Sequence, residues 1–401
     1  MTSTRTRRTT VAAAAVLLTA VAGCAGAVPQ TAPTPPAPSR PAADPVPSSA
    51  GGPTATPRPF TLAATGDVLP HASIIRQAQA DAGGDGYDFR PMLAGVKPVI
   101  SAADLAICHM ETVYGKDEGP FTGYPSFKSP PHIATALAAT GYDSCSTASN
   151  HTLDDGTAGL TRTLDAFDKA GVRHAGSARN PAEAQRPTLL KAGGATVAHL
   201  AYTYGINGDK IPEDKPWSVN IMDEAKIVED SRAARAAGAD VVVVSLHWGT
   251  EWETEPDQDQ LDLGHNLTAS TSDEGRPDID LIIGTHAHVP QAYEKVNGTW
   301  IVYGMGDQIA GDMINYNGAF DPRGNQGSIG RFTFTPPKEP EGRWTVSKAE
   351  FLPQWFNTQT GRVTDLGVAI RRGEQLTDVR DRIRQVVLSR GAAADGLTMP
   401  Q

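Results

Sequence analysis

A chain of 401 residues holds material for one large domain or two small ones. Its formal net charge of −10, from 45 acidic against 35 basic residues, repels phosphate backbones and argues against nucleic acid as a non-specific partner. Apart from an excess of Gly and Pro, the composition is that of an ordinary globular protein.

The first segment reads as an address rather than as part of the fold. Arg5, Arg7 and Arg8 precede an apolar run, Val11 to Ala22, that is too short for a full membrane span. The run ends in Val21-Ala22-Gly23-Cys24, which resembles a bacterial lipobox. Residues 1–23 are therefore expected to be a lipoprotein signal peptide, with Cys24 lipidated; plain secretion with an incidental Cys24 is the other reading. A lipid on Cys24 predicts a chain anchored to the cell membrane at its extracytoplasmic face, not spanning it. Residues 24–58, rich in Pro, Ala, Ser and Thr, cannot bury enough apolar surface to fold and read as a tether. Residues 59–401 are left as one domain. Its two cysteines, Cys108 and Cys145, both at predicted strand ends, are either a disulfide or two buried thiols.

Five strands are expected at Phe60–Thr65, Asp104–Cys108, Tyr142–Ser146, Val241–Leu246 and Leu281–Gly284. The wholly apolar run from Val241 is the kind buried on both faces. Helical spacing over Thr157–Ala170 and Asp223–Ala237, closed by Gly171 and Gly238, alternates with these strands and predicts an α/β fold. Further strands at Thr299–Tyr303, Ser328–Thr335 and Trp344–Leu352 predict a second or mixed sheet, and Val379–Leu388 a terminal helix. Long connections at about 112–130, 203–220 and 311–327 follow strand ends that carry polar motifs.

Asp67, Glu111, Asn150-His151, His247 and His286 with His288 each follow a predicted strand. In open α/β sheets such positions converge in the crevice beyond the carboxyl ends of the strands. Mixed carboxylate and imidazole donors suit one or two divalent ions, with Mn, Zn or Fe as candidates. At a period of two, His286 and His288 reach the same side of an extended segment. His71, four residues after Asp67, is a further candidate ligand. His109, His132, His174, His199 and His265 fit no such pattern and read as structural or exposed. Tyr124, Phe127, Lys128, Tyr202, Tyr204, Trp248, Glu251 and Trp252 are candidates to line the cleft.

Taken together, several stretches resemble the CapA family of capsule and poly-γ-glutamate synthesis proteins, itself similar to the calcineurin-like metallophosphoesterases. They are Ala64-Thr65-Gly66-Asp67-Val68-Leu69, Cys108-His109-Met110-Glu111-Thr112, Ala148 to Asp154, Leu246-His247-Trp248-Gly249, Gly284 to Val289, and Tyr303 to Asp307. The resemblance covers about residues 60 to 330. It implies a four-layer α/β/β/α sandwich of two mixed sheets. It implies metal-ligand roles for Asp67, Glu111, Asn150, His247, His286 and His288, with His151 as the acid and Asp154 orienting it. Two departures touch the first metal position: the usual opening Asp-x-His is absent, leaving His71 as the nearest histidine after Asp67, and Glu111 replaces the second bridging Asp. His109, two residues before Glu111, is a candidate substitute.

Two functions follow as expectations. One is an extracytoplasmic metal-dependent hydrolase, in which metal-activated water attacks a phosphoester or an amide, linked to capsule or poly-γ-glutamate synthesis or processing. The other is a non-catalytic accessory protein of polymer export or envelope assembly. Expected partners are an anionic polymer or phosphoester, the membrane through the lipid, and no nucleic acid.

Overall fold

The computed structural model describes residues 56–339 and 342–400. Cys24, the signal segment and nearly all of the tether lie outside the described residues.

The chain builds half of one sheet, then all of a second, then returns to finish the first. The opening half holds β1 (Phe60–Leu69), β2 (Leu105–Met110), β3 (Ser144–Ser146) and β4 (Arg173–Ala175). The second sheet holds β5 (Thr188–Ala192), β6 (Ala195–Thr203), β7 (Val241–His247), β8 (Leu281–Thr285), β9 (Tyr293–Val296) and β10 (Thr299–Val302). The first is then completed by β11 (Asp307–Ala310), β12 (Gln326–Thr335), β13 (Thr345–Asn357), β14 (Arg362–Asp365) and β15 (Leu397–Thr398). The first sheet runs β14-β13-β12-β1-β2-β3-β4, with β11 added to β1 and β15 to β13; the second runs β5-β6-β7-β8-β10-β9. Both are mixed. Parallel pairs carry β1-β2-β3-β4 and β6-β7-β8-β10, and antiparallel pairs carry β12-β13-β14 and the edges β5 and β9.

Alternation along the strands shows how the layers stack. Leu105 and Ile107 of β2, Val241 and Val243 of β7, and Leu281 and Ile283 of β8 share one core with Phe60, Leu62 and Ala64 of β1. That core lies between the sheets. The alternate residues Ala106, Cys108 and Met110 face outward, against α1 (Ala72–Asp81), α2 (Arg90–Leu93), α3 (Lys97–Ile100), α4 (His132–Thr140) and α5 (Gly156–Ala170). On the far side, Val242, Val244, Leu246 and Ile282 are covered by α7 (Glu224–Ala236) and α8 (Gln258–Ala269), after the single turn α6 (Pro181–Ala184). The result is the four-layer α/β/β/α sandwich of two mixed sheets. Near the C-terminus, α9 (Leu366–Arg371) and α10 (Thr377–Val387) add Leu366, Ile383 and Val387 to the inter-sheet core.

Local chemistry sets the helix ends. Gly171 (φ 77°) and Gly238 (φ 93°) follow α5 and α7 in the left-handed conformation that glycine adopts without penalty. Asp257 and Gln260 form a reciprocal capping box that starts α8.

Of the boundaries that differ from the sequence expectation, two have a plain local cause. Strand β1 does not stop at Gly66 but runs to Leu69. Across to β2, Ala64 pairs with Ile107 while Asp67 pairs with His109, so β1 carries one extra residue there. Strand β3 starts at Ser144, not Tyr142, because the Asp143 carboxylate takes the Ala106 N–H at 2.8 Å. Cys108 and Cys145 occupy paired positions on β2 and β3 and form a disulfide, with Cα atoms 4.4 Å apart.

Candidate metal centre

The extra residue in β1 decides which way Asp67 points. Above the break, Leu62 and Ala64 face the inter-sheet core and Ala63 faces out; below it, Val68 is the residue that faces out. The parity has flipped, so Asp67 faces inward beside His109 rather than into the helical layer. Gly66 permits this because a β-carbon there would collide with Gly306 O. Opposite Asp67, across the β1–β11 pairing, stands Asp307.

From the second sheet, His247 closes β7 on the inward-facing parity, and its Nδ1 lies 3.0 Å from Thr285 Oγ1 at the end of β8. The chain leaving β8 places His286 (φ 91°) and His288 (φ 58°) in the left-handed region, an uncommon conformation for a side-chain-bearing residue. The His286 N–H donates to Asp67 Oδ2 at 3.1 Å, which ties the two sheets together at the site.

The side chains then converge. Asp67 Oδ1 lies 3.5 Å from His109 Nε2 and 3.7 Å from His247 Nδ1. His247 Nε2 lies 2.9 Å from Asn150 Oδ1 and 3.9 Å from Glu111 Oε1. His288 Nδ1 lies 3.0 Å from Asp307 Oδ1. Three sets bring one donor atom per residue within 4.8 Å of each other: Asp67, His109 and His247; Asp67, His288 and Asp307; Glu251, His286 and His288. Asp67 belongs to two of them, as a carboxylate shared between two ions would.

These residues fit a metal. Asp67 Oδ1, both nitrogens of His109, both Glu111 oxygens, His286 Nδ1 and Asp307 Oδ2 are buried without a hydrogen-bond partner. Leaving so many polar atoms unsatisfied at one point is costly unless something else satisfies them. All are nitrogen or oxygen donors, as manganese, zinc and iron accept, and the disulfide removes the nearby sulfurs from consideration.

The electrostatics agree. Burial first, then the Asp307 carboxylate, pushes the Asp67 carboxyl up to about 8. Burial raises Asp307 to about 6 and Glu111 well above the usual carboxylate range. Burial also lowers His109 to about 3 and holds His247 and His286 well below the ordinary imidazole value, which leaves neutral rings ready to bind a cation. His288 goes the other way: burial opposes its charge, but Asp307 and Glu111 outweigh that and raise it. A dication would reverse the repulsion among the carboxylates.

Beside the cluster, His151 Nδ1 lies 2.8 Å from Asp154 Oδ2. The same carboxylate oxygen accepts the Phe127 N–H at 2.6 Å, and the Phe127 ring packs edge-on to His151. His151 Nε2 is left toward Asn207 at 3.5 Å.

His71, like Glu111 and Asn150, falls in none of the three sets; its Nδ1 faces the Gly311 N–H at 3.1 Å and its ring packs on Phe127. Some readings need adjusting. His109, which fits no strand-end pattern in the sequence but is also a candidate substitute at the first metal position, is buried in the cluster and stacks on His247 at 4.6 Å. His109 and Glu111 are two residues apart, the same period as His286 and His288, so both can reach one side of the strand. Asp307 was quoted only as part of a motif, yet it too sits where a strand meets a polar residue. Among the cleft candidates, Lys128 is paired with Asp155 at 2.6 Å. Trp248 and Tyr202 pack in the outer core of the second sheet, away from the cleft. Tyr204 stands over the site, its ring 4.5 Å from that of His286.

Two mixed sheets that carry a nitrogen- and oxygen-donor cluster across their strand ends define an α/β protein with a candidate two-ion centre. Residues 61–312 match the family described as bacterial capsule synthesis protein PGA_cap, and the chain belongs to that family. It is 29% identical over 233 residues to the PGA biosynthesis protein CapA of Bacillus subtilis, covering 53% of this chain and 55% of that one. It is 28% identical over 226 residues to a probable polyglutamine synthesis accessory protein of Mycobacterium tuberculosis, covering 52% and 56%. The chain thus spans about half the length of the curated relatives it matches. Among solved structures, it is similar to a Mycoplasma pneumoniae phosphatase (15% identity, TM-score 0.45, covering 81% of this chain and 100% of that one). It is also similar to the calcineurin-like phosphoesterase YfkN of Bacillus subtilis (15% identity, TM-score 0.42, covering 82% and 100%). Likenesses this remote carry no conclusion about activity.

Proposed function

We propose that this chain is a metal-dependent hydrolase of the CapA type, held by a lipid on Cys24 at the extracytoplasmic face of the cell membrane. We place its role in capsule or poly-γ-glutamate synthesis or processing, with a phosphoester or an amide in an anionic polymer as the bond attacked. The observation that carries the reading is the convergence of seven buried, unpartnered donor atoms from both sheets.

Asp67, Glu111, His109, Asn150, His247, His286, His288 and Asp307 would hold the ions. When bound, the ions supply Lewis acidity and lower the pKa of water. The chain's own residues supply the rest. Asp154 fixes the His151 ring through Nδ1, so Nε2 is the atom that hands a proton to the departing oxygen or nitrogen. Phe127 packs against the same ring and shields it from bulk water. Tyr204 covers His286 from the solvent side and bounds the space open to a substrate.

Replacement of His151 tests this. The His151→Ala chain should keep its metal and lose turnover of phosphoesters and γ-glutamyl peptides. Wild-type chain with full metal content and no turnover on either class would count against the proposal. It would favour the second reading, a non-catalytic accessory protein of polymer export or envelope assembly, in keeping with the mycobacterial relative's description as an accessory protein.

A further inference from the structure

The long connection that leaves β6 makes a tight turn at Ile206-Asn207-Gly208-Asp209. Ile206 O accepts the Asp209 N–H at 2.9 Å, and the two residues between them, Asn207 (φ 51°) and Gly208 (φ 82°), are both left-handed. That is the turn an Asn-Gly pair favours. Ile206 and Ile211 pack with Leu153, Leu160 and Leu164. Lys215 Nζ donates to Thr157 Oγ1 at 3.0 Å. The connection is thus anchored on the stretch of chain that carries His151 and Asp154.

The turn asks of residue 207 only that it tolerate the left-handed conformation, and glycine or aspartate would meet that demand. It does not set where the side chain goes. The Asn207 side chain reaches both members of the Asn150-His151 pair. Its Oδ1 accepts from Asn150 Nδ2 at 3.2 Å, and its Nδ2 lies 3.5 Å from His151 Nε2. The first contact has a consequence for the metal centre. Asn150 Oδ1 lies 2.9 Å from His247 Nε2, among the donors assigned to the ions. The two ends of an amide are nearly equal in size, but only the oxygen offers lone pairs; the nitrogen presents two N–H groups. A partner that accepts from Nδ2 therefore turns the oxygen toward the ions. Outer partners of this kind orient the groups that touch a metal and set much of its affinity.

We infer that Asn207 is a positioning residue of the metal centre, acting through Asn150 by fixing which end of its amide faces the ions. The inference rests on Asn150 as a ligand, and on the hydrolase reading only for its turnover arm. The test compares the full chain with Asn207→Gly and Asn207→Asp chains. It measures manganese and zinc affinity by competition with a chelator, and turnover of p-nitrophenyl phosphate and a γ-glutamyl peptide. Asn207 is exposed, so neither variant disturbs the core. Glycine keeps the turn and removes the contact, and one ion should bind about 10–100-fold more weakly. Aspartate keeps the turn and an oxygen that accepts from Asn150 Nδ2, so most of the lost affinity should return. At saturating metal the glycine chain should regain the turnover of the unaltered chain. Unchanged affinity in the glycine chain, or a loss that aspartate does not repair, would overturn the inference. So would a turnover loss that saturating metal leaves in place, since Asn207 would then be a substrate contact. If the affinities follow the expected pattern and no chain turns over either substrate, the hydrolase reading fails and the role of Asn207 stands. If all three chains turn over substrate with equal metal affinity, the reverse is true.

Discussion

Asp67 carries a charge problem that a proton or a metal ion relieves. Its carboxyl sits at about 8, so in the metal-free chain it binds a proton that the unfolded chain, at 3.8, would release. A raised acid pKa makes stability fall as pH rises between those values. The lowered histidines act oppositely, but only below their ordinary value of 6.5. Between about pH 6.5 and 8 the carboxylate effect is left without that opposition, and the raised His288 adds to it. Thermal unfolding of the metal-free chain should therefore show a falling Tm across that window, and added manganese or zinc should raise Tm most at the upper end. A Tm that rises with pH there would contradict the cluster as described. At the neighbouring His151, alanine should cost turnover roughly 10²-fold or more. Asp154→Asn should also slow turnover, since it leaves His151 without the carboxylate that fixes its ring; kcat and metal content measured on the same samples check both. Residues of this kind were legible where they stood just past an apolar strand, as His247 and His286 do. His109 was legible only through its place two residues before Glu111, because it lies inside its strand and otherwise looks like one more strand residue.

At the scale of elements, the β1 bulge has the largest effect for its size. One extra residue turns Asp67 from the helical layer to the inter-sheet face. Gly66→Ala should push a β-carbon against Gly306 O and destabilise the fold by roughly 1–3 kcal/mol. Denaturant unfolding measures this, and an unchanged midpoint would show that the contact relaxes freely. The sequence hid the bulge because Thr65-Gly66-Asp67 reads as a turn. It showed β7 clearly, since every residue from Val241 to Val244 is apolar, and it showed α5 and α7 through their spacing and closing glycines. Strand β6 was missed: Ala195 to Thr203 is buried throughout, but its alanines, threonines and His199 dilute the apolar signal. His199 belongs there because Ser144 and Ser245 bind its two nitrogens, at 2.8 and 2.9 Å, a partnership only the folded sheets reveal.

For the molecule as a whole, the sandwich explains why a site assembled from residues 67 to 307 is one place. Each sheet ends its parallel strands at the same edge, and the chain crosses between sheets twice. The alternation of strands and helices was enough to read an α/β fold with a second or mixed sheet, and the four-layer sandwich was what the family resemblance implied. The loops' contribution was not readable, since rim geometry depends on how three long connections fold over the edge. The lipid on Cys24 is a separate proposal: mass spectrometry of the membrane-extracted protein should find the diacylated cysteine, and an unmodified Cys24 would remove the anchor. The central claim is tested most directly by elemental analysis of the purified chain beside a His247→Ala, His286→Ala variant. The account predicts about two ions per chain, lost in the variant. A wild-type chain that takes up no manganese, zinc or iron above the level of the variant would contradict it.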